Sequence, residues 1–405
     1  MLLSLNPHVV LRSEPQFQST YAAFDYRGIG TRFYSKWQFD ILEHLARNAS
    51  HPEDLSRILM VDEHRLEEFL ASQIRNNILV EVSEEAFRSI YVPPRARPEA
   101  FQGFPVPFLS APTTVDLFLS RACNLRCSHC FADGGIPMKN ELSYEEWISS
   151  FDQLEEMGVL EIRLNGGEPF MRRGIYDLLN HLKEKRYHKV MITNGTLISE
   201  KAVDALASSE ITPTVSLDGA TAQVHDTFRG VPGAFQKTVK AMQRLQHRGM
   251  TYGVNTCIHG GNLAEIEDTI RLAAKLGAAR IGLLSLIEVG RMAKTKVNMI
   301  SEPEYLMIGL RILGLAKKYK NKIEITEEIV SDELPLQSIG LYTCSIDANG
   351  QVYPSNRVLG DPRFRVGSVR EASLREIWFS ENWIPFRRTS QRLKALGLEG
   401  SSLRM

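Results

Sequence analysis

An α/β fold with a parallel sheet, preceded by a small α+β module and followed by a short tail, is the architecture that the sequence predicts. Three observations lead to it. Apolar strand-like runs alternate with helical patterns six times, at 115–119, 160–164, 189–193, 214–217, 252–258 and 280–286. Six prolines crowd into residues 92–112 and exclude both helix and central strand, which makes that stretch a linker. Beyond residue 320 the alternation ceases. The expected units are therefore 1–91, 92–112, 113–320 and 321–405.

Each element has a local reason. In the first unit, β-like runs at 8–12, 20–26 and 31–34 precede three amphipathic helices, with Gly28 and Gly30 marking a hairpin. Residues 36–47 place Trp37, Ile41, Leu42 and Leu45 on one helical face. Ser50 and Glu53 read as a capping box around Pro52, opening a helix with Leu55, Ile58 and Leu59 inward. Asp62 is the expected cap of a third helix, with Leu66, Phe69, Leu70 and Ile74 inward, and 78–82 closes the unit as a strand. Strands followed by three short helices have the plan of a winged helix-turn-helix. In the array, Ser143 and Glu146 form the capping box of a helix reaching Met157, and 262–276 is another helix. In the tail, Ala348-Asn349-Gly350 between runs at 343–347 and 351–353 signals a hairpin, and 373–378 a short helix.

Composition narrows the function. Hydrophobic residues make up 43% and charged residues 24% of the 405, which excludes a disordered chain. A formal net charge of zero argues against a protein built to coat nucleic acid or an anionic membrane. No apolar run approaches ~20 residues, so no membrane span is expected. The first six residues lack the basic start and apolar run of a signal peptide. Three of the five cysteines sit within eight residues, a ligand pattern more than a disulfide framework. A reducing, cytoplasmic compartment is expected.

Those three, Cys123, Cys127 and Cys130, carry the strongest chemical signal. Three thiolates in one loop can hold a [4Fe–4S] cluster with one iron left open, or a zinc ion if His129 joins them. The loop follows the first strand of the array. Gly166-Gly167-Glu168-Pro169 follows the second, Thr193-Asn194-Gly195 the third, and Ser216-Leu217-Asp218-Gly219 ends the fourth. Each is an ordinary turn signal alone, but all lie at the C-terminal ends of strands, where a βα barrel assembles its active site.

Together these motifs resemble those of the radical S-adenosylmethionine (SAM) enzymes, over roughly residues 113–320. The resemblance implies a partial (βα)6 barrel with one [4Fe–4S] cluster held by Cys123, Cys127 and Cys130. Its open iron would take the amino and carboxylate groups of SAM. Gly166, Gly167 and Glu168 would meet the methionyl amine, and Thr193, Asn194, Ser216 and Asp218 would line the ribose and methionyl part. Arg229 would pair with the carboxylate, and Asn255 on the fifth strand would reach the nucleoside. A reductant such as flavodoxin or ferredoxin is the implied electron source.

The flanks point to the substrate. Residues 1–91 resemble the PqqD-like recognition element of enzymes that mature ribosomally made peptides, which implies a precursor-peptide partner gripped by its leader. The competing reading is a DNA-binding winged helix, but Glu63, Glu67 and Glu68 against Arg65 and Arg75 suit phosphate poorly. The tail resembles the SPASM/Twitch extension of peptide-modifying radical SAM enzymes, with Cys344, the hairpin and 373–378 in its outline. Ser355 stands where a cysteine commonly follows the hairpin proline, so a tail without a cluster is expected. Net-neutral epimerisation then needs a hydrogen donor, and Cys344 and Cys257 are the candidates. Two other readings stay open: a radical SAM enzyme acting on a small molecule such as a modified tetrapyrrole, and a zinc-stabilised regulator.

Overall fold

The computed structural model describes residues 2–14, 20–25, 30–90, 92–93, 98–104, 106–295, 299–328 and 340–395. Tyr26, Gly28, Pro94 and Pro105, on which the expected hairpin and part of the linker rest, lie outside the described residues, as do 329–339 and 396–405 of the tail.

The N-terminal module opens with a strand that local pattern did not reveal. β1 (Leu2–Leu5) pairs antiparallel with β5 (Leu79–Val82) across the module. β2 (Val9–Glu14), β3 (Thr20–Asp25) and β4 (Gly30–Tyr34) form an antiparallel meander. Helices α1 (Lys36–Arg47), α2 (Pro52–Leu59) and α3 (Glu63–Arg75) pack on one core with Leu3, Leu11, Leu42, Leu55 and Leu70. Asp62 caps α3 as expected, accepting from the Arg65 N–H. The Ser50–Glu53 box does not form. Ser50 is drawn into an isolated bridge with Leu3 and bonds His44 through its hydroxyl, so α2 starts after His51 without a side-chain cap. Ile58 is 55% exposed, because so short a helix buries only Leu55 completely.

The second region is one ten-stranded sheet. β6 (Thr114–Phe118), β7 (Glu161–Asn165), β8 (His188–Thr193), β9 (Ile211–Ser216), β10 (Gly253–Ile258) and β11 (Arg280–Ser285) run parallel in sequence order. They alternate with α4 (Tyr144–Met157), α5 (Ile175–Leu182), α6 (Glu200–Ser208), α7 (Ala222–Arg229), α8 (Ala234–His247) and α9 (Ile266–Lys275). The Ser143–Glu146 box opens α4. After α10 (Arg291–Thr295) and α11 (Glu302–Tyr319) comes a seventh parallel strand, β12 (Glu324–Glu328). It lies beyond the expected boundary at 320.

The tail is continuous with this sheet rather than an appendage. β13 (Thr343–Ile346) pairs parallel with β6, and β14 (Gln351–Tyr353) and β15 (Gly367–Ser368) follow antiparallel. Here α12 (Leu374–Trp378) and α13 (Ile384–Ala395) cover the outer face, where the Trp378 indole donates to the Leu109 carbonyl at 2.8 Å.

A buried ion pair ties the module to the barrel. Arg12 and Glu14 of β2 pair with each other; the Arg12 guanidinium donates to the Ala111 carbonyl at 2.7 Å, and Glu14 accepts from the Ser110 N–H at 2.6 Å. Arg186, before β8, donates to the Val9 carbonyl at 3.2 Å. The buried pair thus also bonds residues 110–111, which holds the module against the sheet.

Candidate active site

The loop after β6 is held from four sides. The Gly167 and Glu168 N–H groups donate to the Ser120 and Ala122 carbonyls at 2.8 Å each. A Cβ at Gly167 would overlap the Ala122 and Arg121 carbonyls, so only glycine lets the two loops lie flush. Asn124 donates to the Thr196 hydroxyl at 2.8 Å and accepts from the Asn194 amide at 3.0 Å. Arg126 and Ser128 donate through their backbone to the Arg229 and Phe228 carbonyls at the end of α7. Gly230 ends α7 at φ +71°, a left-handed cap that also lets the loop approach. Arg291, just past β11, donates to the Cys127 and Gly134 carbonyls at 2.7 Å each.

Each cysteine sulfur accepts one hydrogen bond: Cys123 from the Leu125 N–H at 3.4 Å, Cys130 from the Gly134 N–H at 3.3 Å, and Cys127 from the Arg229 guanidinium at 3.8 Å. Three donors on three sulfurs suit thiolates that share a metal cluster. Burial pushes Cys123 up to about 11 and raises Cys127 as well, so iron must supply the positive charge that keeps them deprotonated. The residues fit a cluster. The zinc reading needs His129 as its fourth ligand, and that ring is taken up in a stack. His129 instead lies flat on Phe228, ring centroids 3.9 Å apart, and Phe228 in turn stacks on His259 at 3.7 Å. Burial and the nearby Arg229 push His129 down to about 3, so the ring is neutral.

A cavity of about 340 Å³ opens inside the sheet beside this loop. Eleven of the expected site residues line it: Cys123, Cys127, Cys130, Gly166, Gly167, Thr193, Asn194, Ser216, Arg229, Asn255 and Cys257. Three do not. Glu168 is wholly buried behind the wall, where its carboxylate accepts from the Thr193 hydroxyl and the Asn194 N–H at 2.8 Å each. It ties two loops together. Burial raises it to about 7, against those hydrogen bonds. Asp218 is also wholly buried, 2.6 Å from Arg229, and accepts from the Cys257 N–H at 2.8 Å. Burial works to raise its pKa, but Arg229 prevails and holds it below the ordinary range. Asp218 therefore orients Arg229. Cys344 is the third residue outside the cavity. In β13 it stands in register with Val115, whose side chain packs among Trp147 and Phe151 on the helical side. Laterally paired residues share a face of the sheet, so the thiol points away from the cavity, towards Trp378 and Trp383.

Sequence reasoning missed Asn124, Arg291 and the anchor at Glu141, whose carboxylate accepts from the Arg121 N–H at 2.8 Å and the Ser120 hydroxyl at 3.1 Å. Arg291 opens α10, six residues after β11 ends, at the same end of the sheet as the other motifs. In the tail, Ser355 caps a short turn, accepting from the Arg357 N–H at 3.2 Å.

The radical SAM superfamily profile matches residues 117–273, and that of the SPASM iron-sulfur cluster-binding domain matches 338–396. An AdoMet-dependent heme synthase of Oleidesulfovibrio alaskensis is 30% identical over 285 residues, 64% of this chain and 72% of that protein. The mycofactocin maturase MftC of Mycobacterium tuberculosis is 28% identical over 306 residues, 71% of this chain and 76% of that protein. The fold is similar to the crystal structure of Streptococcus suis SuiB bound to precursor peptide SuiA, with a TM-score of 0.75 and 17% identity over 94% of this chain and 89% of that one. SuiB has also been solved with S-adenosylmethionine.

Proposed function

The chain belongs to the radical SAM superfamily, and we propose that it grips a ribosomally made precursor peptide by its leader and modifies it at an unactivated C–H bond. Membership brings a [4Fe–4S] cluster and S-adenosylmethionine as cofactors. Bound together, they supply reductive cleavage of the sulfonium and a 5′-deoxyadenosyl radical that removes a hydrogen atom from substrate.

The chain's own residues set the stage. Cys123, Cys127 and Cys130 would hold the cluster, and Arg229 favours the thiolate form of Cys127 while Asp218 keeps Arg229 in place. Ser216 and Asn255 line the cavity and would meet the nucleoside. The matched tail segment contains one cysteine, Cys344, and its thiol faces apolar core; the reading is one cluster per chain. Cys257 lines the cavity, and burial, with Asp218 close by, raises its pKa. It therefore keeps the S–H bond that a hydrogen-atom donor needs, and net-neutral epimerisation is the reaction this favours.

The N-terminal module carries the peptide reading. Among the described residues β4 is paired on one side only. It lies against α3, where the Tyr34 hydroxyl donates to Gln73 at 2.8 Å and Arg32 donates to Asn76 at 3.0 Å. An extended leader adding to that edge would have α3 as its wall. The fold likeness to SuiB spans 94% of the chain, too much to omit this module. Identity to heme synthases favours a tetrapyrrole as the second reading. Co-expression with neighbouring short open reading frames in deuterated water, followed by mass spectrometry, separates them. One non-exchangeable deuterium gained at a backbone carbon supports epimerisation, and its loss in Cys257→Ala identifies the donor. Loss of two hydrogens means a cross-link or desaturation. Unmodified peptides with SAM still cleaved would transfer the assignment to the tetrapyrrole.

A further inference from the structure

The cavity runs the length of its strands, from the cysteine loop at one end to the opening residues of β7 and β11 at the other. Four side chains that can carry positive charge line it: His129, Arg163, Arg229 and Arg280. Three of them are already engaged. His129 is neutral in its stack, Arg229 is held by Asp218 at 2.6 Å, and Arg163 by Glu161 at 2.6 Å. Arg280, the first residue of β11, forms no ion pair and no hydrogen bond among the described residues. Glu324 stands beside it in register on β12, yet makes no ion pair with it.

The neighbouring strand turns Arg280 into the cavity. It stands in register with Gly253 of β10, and Gly253 with Thr214 of β9. Laterally paired residues share a face, and Thr214 lines the cavity. A Cβ at Gly253 would meet Arg280 Nε at 2.9 Å and Cγ at 3.1 Å. Glycine therefore leaves the groove in which the arginine stem lies across the strand. The Thr214 hydroxyl borders the same point at 3.4 Å, is 2% exposed and also lacks a partner. Buried polar groups are nearly always paired, so unused donors in a cavity wall point to a ligand.

We propose that this wall binds a carboxylate of the substrate, which accepts from the Arg280 guanidinium and has the Thr214 hydroxyl as its second donor. The inference rests on the peptide reading, in which the carboxylate is an Asp or Glu side chain or the C-terminus, the anions that an unmodified ribosomal peptide carries. Asn255 and Cys257 follow Gly253 on the same face of β10, and four residues of strand span ~13 Å. An extended peptide covers that distance in about four residues. The subsite therefore selects which C–H bond meets Cys257: one about four residues from the anchored carboxylate. In a tetrapyrrole the same subsite would take a propionate.

Ligand-observed nuclear magnetic resonance of the anaerobic, iron-loaded protein with SAM tests this, with glutarate as the carboxylate probe and glutaramide as its uncharged counterpart. Glutarate is expected to bind at millimolar concentration and glutaramide not to bind. Arg280→Gln should weaken glutarate about tenfold, Thr214→Val about threefold, and Arg280→Lys should retain part of the binding. Iron content and far-UV circular dichroism, unchanged in all three variants, exclude misfolding. The source of the carboxylate is read separately. In the co-expressed peptide, changing the acidic residue at that spacing to its amide should reduce modification by the wild type and have no further effect with Arg280→Gln. Binding of hemin that is lost with its dimethyl ester and with Arg280→Gln would keep the subsite while the peptide reading falls. Glutarate bound equally by the wild type and Arg280→Gln, bound no better than glutaramide, or not bound by the wild type would overturn the proposal.

Discussion

The chain places cysteines in two contrasting surroundings, and the contrast shows what makes a cysteine a ligand. Around Cys123, Cys127 and Cys130 the backbone is pinned by hydrogen bonds, each sulfur accepts one, and two guanidiniums, Arg229 and Arg291, stand close. Around Cys344 the neighbours are Met157, Leu374, Trp378 and Trp383. Burial raises the Cys344 pKa and the Asp116 carboxylate raises it further, so it remains a neutral thiol. In the first setting the hydrogen bonds and Arg229 work against burial, which still raises Cys123 and Cys127; in the second nothing opposes it. The loop follows β6 and Cys344 lies on its neighbour β13, so adjacent strands carry a reactive environment and an inert one.

Substitutions can break this contrast in descending order of effect. Cys127→Ala should lose the iron and the visible charge-transfer absorption, and SAM cleavage should fall below detection by chromatography; Cys344→Ala should retain all three. Arg229→Met leaves Asp218 buried without its partner and should cost about 3–5 kcal/mol in denaturant unfolding. Adding Asp218→Asn should recover much of that stability, though not the hydrogen bond to Cys127. Glu168 sharpens the contrast through pH. Its folded pKa of about 7 is raised above the ordinary carboxylate value of 4.5, so its contribution to stability is complete below pH 4.5. That contribution fades as pH rises to 7, because the unfolded state ionises first. Glu168→Gln should flatten this part of the stability–pH profile measured by thermal unfolding. Cys344→Ser, which puts a hydroxyl among indoles, should cost about 1–3 kcal/mol without changing the iron content.

Much of the fold was legible because its signals are local. Six parallel strands read as apolar runs since both faces are covered, and the Ser143–Glu146 and Asp62 caps declared their helices. What could not be read depends on distant partners. β1 pairs with β5, and β13 with β6, across most of a module or of the chain. No spacing rule gives the register that sets Cys344 beside Val115 and turns its thiol from the cavity. The same limit explains Glu168 and Asp218. Their motifs located them at the right end of the sheet, but the direction of each side chain was decided by Asn194, Thr193 and Arg229, each at least eleven residues away in sequence. The lesson is that motif position was dependable, whereas side-chain direction needed tertiary contacts.

The central claim is that the loop at 123–130 builds the one cluster of this chain and the tail builds none. Iron and acid-labile sulfide per chain, determined after anaerobic reconstitution alongside the electron paramagnetic resonance of the reduced protein, test it most directly. The account predicts the iron of a single [4Fe–4S] cluster, one paramagnetic species that changes on adding SAM, and identical values for Cys344→Ala. Iron equivalent to two clusters, or a second signal that disappears in Cys344→Ala while the SAM-responsive one persists, would contradict it.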